Sequence, residues 1–134
     1  MKAIVCLDDN NGMLFNERRQ SRDSVVINDI VDMAEDQKLF CNAYTGKLFD
    51  ADKICIVNDG ILVDPCEEGY YFYENILPAS IDNFSEVVIY KWNRKYPGDV
   101  FFSFNLEGNG FKKSKTIEFV GSSHEKITKE TWRK

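Results

Sequence analysis

The sequence predicts an α/β domain: a mixed sheet with few helices, closed by an antiparallel hairpin at its C-terminal end. Three observations carry this. The chain opens on an apolar, β-branched run, Ala3-Ile4-Val5-Cys6-Leu7, that suits a central strand covered on both faces. A helical pattern follows, with Val26, Ile27, Ile30, Val31 and Ala34 spaced along one face. The second half then shows consecutive strand patterns separated by turn signals. With 134 residues, 43% hydrophobic and 13% aromatic, the chain can bury its own core, which predicts one domain over 1–134.

The elements follow in order. Residues 8–22 are polar and turn-rich, with Asn10-Asn11-Gly12 as the turn signal, and read as loop. A helix over 24–35 takes Ser21 or Asp23 as its N-cap. A short strand is expected at 38–42, a helical turn at 45–49, and a strand at 53–57 stopped by Asn58-Asp59-Gly60. An aromatic strand at 69–73 precedes a loop over 77–84. Residues 87–92 and 100–104 read as a strand pair joined by a turn through Tyr96-Pro97-Gly98. Residues 111–120 form another strand, entered through Gly108-Asn109-Gly110. Over 122–134 a helix opened by the capping box Ser122-x-x-Glu125 is favoured over a final strand.

Several function classes drop out on composition. The longest apolar runs span about five residues, far short of a membrane crossing, and the start lacks a signal-peptide pattern, so a cytoplasmic protein is expected. Cys6, Cys41, Cys55 and Cys66 show no C-x-x-C spacing and read as reduced cysteines. His124 is the only histidine, which argues against a metal centre built on several imidazoles, and no metal site is expected. The net charge of −5 is uneven: residues 29–90 carry 13 acidic and 3 basic side chains, whereas residues 91–134 carry 10 basic and 5 acidic ones. The bland account, distant charges that keep the domain soluble, is preferred to a nucleic-acid patch.

Two stretches resemble the ends of a dihydrofolate reductase. One is Lys2-Ala3-Ile4-Val5-Cys6-Leu7-Asp8 running into Asn10-Asn11-Gly12-Met13. The other is the strand Glu86-Val87-Val88-Ile89-Tyr90-Lys91-Trp92 followed by Tyr96-Pro97-Gly98-Asp99-Val100-Phe101-Phe102, similar to the family's G-D-T-F-F-P. The resemblance covers most of the chain in order and implies that family's mixed sheet. It places Asp23 where the family carries the acid that binds a pterin and assists its protonation. Gly12-Met13-Leu14 stands where the family has G-I-G. Asn42-Ala43-Tyr44-Thr45 stands where it has G-R-x-T, so Thr45 is kept as a ligand-binding residue and Ala43 replaces the arginine that meets the NADPH 2′-phosphate. The family's Gly-Gly, which also receives the cofactor, has no counterpart near residues 72–76. No cofactor is therefore expected, with NADPH implied only if the chain is a reductase. The helix that follows the Gly-Gly is largely missing, which leaves room for a homodimer over that face.

The most unusual local run is Arg18-Arg19-Gln20-Ser21-Arg22, just before a helix start. Arg18, Arg19 and Arg22 there combine forked donors with free amides and suit a phosphate or carboxylate. A second run, Lys91-Trp92-Asn93-Arg94-Lys95, interleaves cations with an aromatic, as in surfaces that stack bases and grip phosphates. It reads more simply as a basic hairpin tip with Trp92 packed inward. His124, in a polar segment, is expected at the surface or at an interface. The function expected is a divergent, non-catalytic domain of this fold that binds a small anionic ligand or a protein partner near residues 18–23. The alternatives are an NAD(P)H-dependent reductase of a pterin-like ring, with Asp23 catalytic, and a nucleic-acid-associated module using Arg18, Arg19 and Arg22 with Lys91, Trp92, Arg94 and Lys95.

Overall fold

The computed structural model describes residues 1–49 and 55–134. Strand β1 (Lys2–Leu7) lies in the middle of a seven-stranded sheet, flanked by β6 (Tyr70–Phe72) and β7 (Glu86–Lys91), both parallel to it. Its alternation serves two cores, as a strand with both faces covered must. Ala3, Val5 and Leu7 join Phe40, Tyr71, Val87 and Phe111 on one face. Ile4 joins Val26, Ile30, Phe72, Val88 and Trp92 on the other.

The sheet continues outward from β6 through β4 (Leu39–Cys41) to β5 (Cys55–Val57), all parallel. On its other side β10 (Ile127–Arg133) runs antiparallel to β7 and β9 (Lys112–Phe119) antiparallel to β10, so the sheet ends in an antiparallel C-terminal hairpin. Helix α1 (Ser24–Met33) covers the second core, burying Val26 and Ile30. Two short helices, α2 (Ala43–Gly46) and α3 (Asp59–Val63), follow β4 and β5. Each is capped by an asparagine: Asn42 accepts from Thr45 N at 3.0 Å and Asn58 from Ile61 N at 3.2 Å. Asn58-Asp59-Gly60, expected only as a stop, therefore also starts a helix. Residues 53 and 54 of the strand expected at 53–57 lie outside the described residues.

A second sheet of three strands covers the end of β1. Its strands β2 (Gly12–Phe15) and β3 (Arg18–Arg19) form a hairpin, and β8 (Val100–Phe101) pairs with β2. Residues 8–22 are thus not all loop. The two-residue turn Asn16-Glu17 has both residues at positive φ (50° and 64°), the left-handed pair that matches the twist of a tight hairpin. Leu14, standing where the resemblance has a glycine, lies within β2.

Three further expectations are corrected. Residues 87–92 and 100–104 are not a strand pair. Both neighbours of β7 are already taken by β1 and β10, so β8 pairs with β2 instead. Residues 127–133 form a strand rather than a helix, because the amides of Ser122 and Ser123 are drawn to the Asp23 carboxylate and β10 completes the ladder beside β7. Cys41 and Cys55 are joined by a disulfide. Adjacent parallel strands bring their Cα atoms to 6.2 Å, within bridging range. Cys6 and Cys66 remain free thiols.

Candidate functional site

The hairpin β2–β3 and the segment after β7 enclose a cleft of about 490 Å³, lined by Phe15, Asn16, Arg18, Arg19, Gln20, Tyr96 and Pro97. What builds it is Asp8, buried at the end of β1. One of its oxygens accepts from Asn10 N (2.9 Å) and Gly12 N (2.7 Å). The other accepts from Gln20 Nε2 (3.2 Å) and Tyr96 N (3.1 Å). A single carboxylate thereby fixes both walls. Gly12 is required beside it, since a Cβ there would come within 2.9 Å of Asp8 Oδ1.

Arg18 and Arg19, neighbours on a two-residue strand, are treated differently. Arg18 is exposed at the cleft and has no salt-bridge partner among the described residues. Arg19 forks onto Glu74, with Nε to Oε2 at 2.9 Å and an Nη to Oε1 at 3.1 Å. Its backbone N–H donates to the Tyr44 hydroxyl at 2.9 Å, and its guanidinium lies 4.3 Å from the Tyr44 ring centre. Burial works to lower the Arg19 pKa, but the bonds and charge of Glu74 outweigh it and raise the value. Glu74 also accepts from Thr45 Oγ1 at 2.8 Å. Arg19 and Thr45 are therefore brought together, through a carboxylate that sequence reasoning did not single out. Beside them the Asn42 side chain donates to that of Asn75. Cys6 lies beneath this cluster, where burial first and the Glu74 charge second push its thiol pKa well up.

Arg22 and Asp23 lie outside the cleft wall. Arg22 is exposed, and its carbonyl accepts from Ser123 Oγ at 2.7 Å. Asp23 caps α1 by accepting from Val25 N at 2.9 Å, and then reaches across the molecule. It accepts from Ser122 N and Ser123 N, each at 2.9 Å, and from His124 Nδ1 at 2.9 Å. Burial acts to raise its pKa, but these donors outweigh it and hold the carboxyl well below the usual range. Gly121 is required here, since a Cβ would collide with the carboxylate.

His124 is buried, not at the surface as expected. Its ring stacks on Trp92 with centroids 4.6 Å apart. Its Nε2 lies 2.9 Å from Ser21 Oγ and 3.1 Å from Tyr96 Oη. An ionised carboxylate only accepts, so Nδ1 carries a hydrogen and donates it to Asp23. The serine lies beside the cleft-lining Gln20, but it is Tyr96 that lines the cleft itself. The sequence signal that could have found this cluster is weak: one aspartate before a helix and one histidine a hundred residues later.

The basic run after β7 does not converge. Trp92 is buried beneath His124, so no face of it is free for a base. Lys91 pairs with Glu130 at 3.3 Å, and Arg94 and Lys95 are exposed. Among the described residues, no group of three or more His, Cys, Asp or Glu is placed to hold a metal, and no helix is long and apolar enough to cross a membrane.

Comparison with solved structures bears on the fold. A dihydrofolate reductase from Enterococcus faecalis, complexed with NADP(H) and RAB-propyl, superposes with a TM-score of 0.65 over 98% of this chain and 94% of that one. The chain has the dihydrofolate reductase fold. Sequence identity is 10%, so the likeness extends to the fold alone. No protein-family model matches the sequence, and no curated protein does. Within this dihydrofolate reductase fold, the ends of β4 and β6 carry Asn42, Thr45, Glu74 and Asn75 bonded to one another, and the open cleft lies under the β2–β3 hairpin.

Proposed function

We propose that this dihydrofolate-reductase fold serves as a binding domain that holds a small anionic ligand against Arg18 in the hairpin cleft, without hydride transfer. The observation that carries the reading is the contrast between the two arginines of the wall. Arg19 is neutralised by Glu74, whereas the Arg18 guanidinium faces the cleft with its donors uncommitted to any carboxylate among the described residues. Gln20 holds the two walls together, its Nε2 donating to Asp8 Oδ2 and to the Pro97 carbonyl. Phe15 and Tyr96 supply apolar wall.

The residues present do not fit NADP(H). In open α/β sheets a dinucleotide lies outside the carboxyl ends of the strands, with phosphates at a helix start. Here the ends of β4 and β6 are bridged by the Asn42–Asn75 bond, and Glu74 holds Thr45 Oγ1. Ala43 offers no cation, and an incoming phosphate would meet the Glu74 carboxylate. Asp23 is likewise committed to Ser122, Ser123 and His124. On this reading the domain is cytoplasmic, a compartment in which the Cys41–Cys55 bridge would be reduced.

The test is a thermal-shift titration with sulfate, small carboxylates and NADPH on the native chain and on Arg18→Gln. An anion at about 100 times its dissociation constant adds roughly 2.7 kcal/mol to native stability. The expected result is a shift with small anions that Arg18→Gln removes, and none with NADPH. Stabilisation by NADPH would overturn the reading and restore the reductase.

A further inference from the structure

A second cavity is built around Glu130, on the sheet face away from α1. Glu130 of β10 stands opposite Ile89 and Trp132 opposite Val87, while Lys113 of β9 stands opposite Trp132. Directly opposed residues of neighbouring strands point to the same side, so all three project over the core that holds Val87 and Ile89. The Glu130 carboxylate is buried there. Its Oε1 accepts from Trp132 Nε1 at 3.1 Å. Its Oε2 accepts from Lys113 Nζ at 3.2 Å and lies 3.3 Å from Lys91 Nζ. One buried carboxylate thereby positions an indole and two ammonium groups.

A cavity of about 330 Å³ lies against them, lined by Glu107, Gly110, Phe111, Lys112, Lys113 and Trp132. Phe111 is brought to it by the turn over 106–111, which is closed by Gly110 N–H on Glu107 O at 3.1 Å and Phe111 N–H on Leu106 O at 2.9 Å. A neighbouring cavity of about 280 Å³ shares Glu107 and Trp132 and runs over Leu7, Ile89 and Phe102, with Lys91 and Glu130 in its wall.

We infer that the Trp132 cavity binds a flat aromatic ring bearing a carboxylate or a similar anionic group. The apolar half of the argument is that the indole N–H is already spent on Glu130, so Trp132 offers the cavity carbon, as Phe111 does. The charged half is a count. Lys91 and Lys113 share one oxygen of Glu130, which sets two positive charges against one negative. Lys112 lines the cavity, is exposed, and has no salt-bridge partner among the described residues. Glu107 is the one acid in the cavity lining. Three lysines against Glu107 and Glu130 leave one positive charge beside an apolar, concave wall, which is what an aromatic anion complements. The inference is independent of the Arg18 cleft, whose lining shares no residue with this one.

The probe is 2-naphthoate, titrated into the isotope-labelled full chain, with uncharged 2-naphthamide as its isostere. The chain has two tryptophans and hence two indole N–H resonances, assigned with Trp132→Phe. Trp92 packs in the other core, beneath His124, and serves as the internal control. 2-Naphthoate should shift the Trp132 resonance saturably and leave that of Trp92 in place. 2-Naphthamide should bind about tenfold more weakly, for want of a charge-assisted hydrogen bond. Lys112→Gln should weaken 2-naphthoate about threefold without changing 2-naphthamide, and Glu107→Gln should strengthen 2-naphthoate by a similar factor. Both replace exposed side chains, so the fold is kept. Arg18→Gln should leave every one of these values unchanged. The inference is overturned by a Trp132 resonance that does not move at millimolar 2-naphthoate, by equal affinity for the two probes, or by a Trp132 shift that Arg18→Gln abolishes.

Discussion

Two buried carboxylates hold the segment from Arg18 to Asp23, and they do so with different partners. Glu74 receives the forked guanidinium of Arg19, with Thr45 as a third partner. Asp23 receives the imidazole of His124, with the amides of Ser122 and Ser123 beside it. A guanidinium keeps its charge at every pH a folded protein meets, so the first tie is permanent. The second rests on one ring N–H and two backbone amides, so it holds only while residues 121–124 keep their path. One end of the segment is thereby fixed on the sheet. The other is tied to the segment that leads into β10.

Removing the Asp23 tie should have the largest effect. Asp23→Ala deletes the cap of α1 and strands the amides of Val25, Ser122 and Ser123 together with His124 Nδ1. Each buried donor left unpaired costs about 1–3 kcal/mol, so a loss of at least roughly 3 kcal/mol is expected, a fall in Tm on the order of 10 °C. A loss below about 1 kcal/mol would mean that residues 121–124 do not depend on this carboxylate.

Acid should weaken the same tie next. A carboxyl whose folded pKa is depressed contributes stability above its unfolded value, near 3.9, and loses it as pH falls through the folded value. The stability gap between native chain and Asp23→Asn should therefore be constant above about pH 5 and close below about pH 4. Chemical denaturation at stepped pH reads it. Glu130, whose pKa bonds from Trp132 and Lys113 pull down against burial, acts in the same direction in both proteins and cancels from the gap. A gap that widens in acid would reverse the assignment.

The smallest effect belongs to the guanidinium tie. Glu74→Gln keeps an acceptor for Thr45 and leaves Arg19, whose side chain is 21% exposed, within reach of water. A cost of about 1–2 kcal/mol is expected, with the denaturation profile retaining its native dependence on pH. If Glu74→Gln flattened that profile, the two ties would not be independent.

Much of the fold was legible because its signals are local. The β-branched run at residues 3–7 reads as a strand covered on both faces, and the spacing of Val26, Ile30 and Ala34 reads as one helical face, whatever surrounds them. The hairpin at residues 12–19 was hidden because Asn16-Glu17 lacks the glycine that usually marks a left-handed turn pair. The strand at residues 127–133 was hidden behind a capping box. Ser122-x-x-Glu125 satisfies the local rule, yet the amides it would cap are taken by Asp23 from a hundred residues away.

The candidate site divides in the same way. Residue type and spacing singled out the arginine run, and the family resemblance singled out Thr45 and Asp23. They could not separate Arg18 from Arg19, since adjacent residues on a strand face opposite ways and only the position of Glu74 shows which one is spent. Nor could they place His124, whose neighbours in sequence are polar and whose neighbours in space are Trp92, Tyr96, Ser21 and Asp23. The sequence by itself determined the fold class, the central strand and the first helix, because periodicity and turn chemistry act over a few residues. Only the tertiary structure decided strand partners, the disulfide and the bonding partners of each candidate residue. Those depend on contacts between distant segments, where a single carboxylate settles which cation is free.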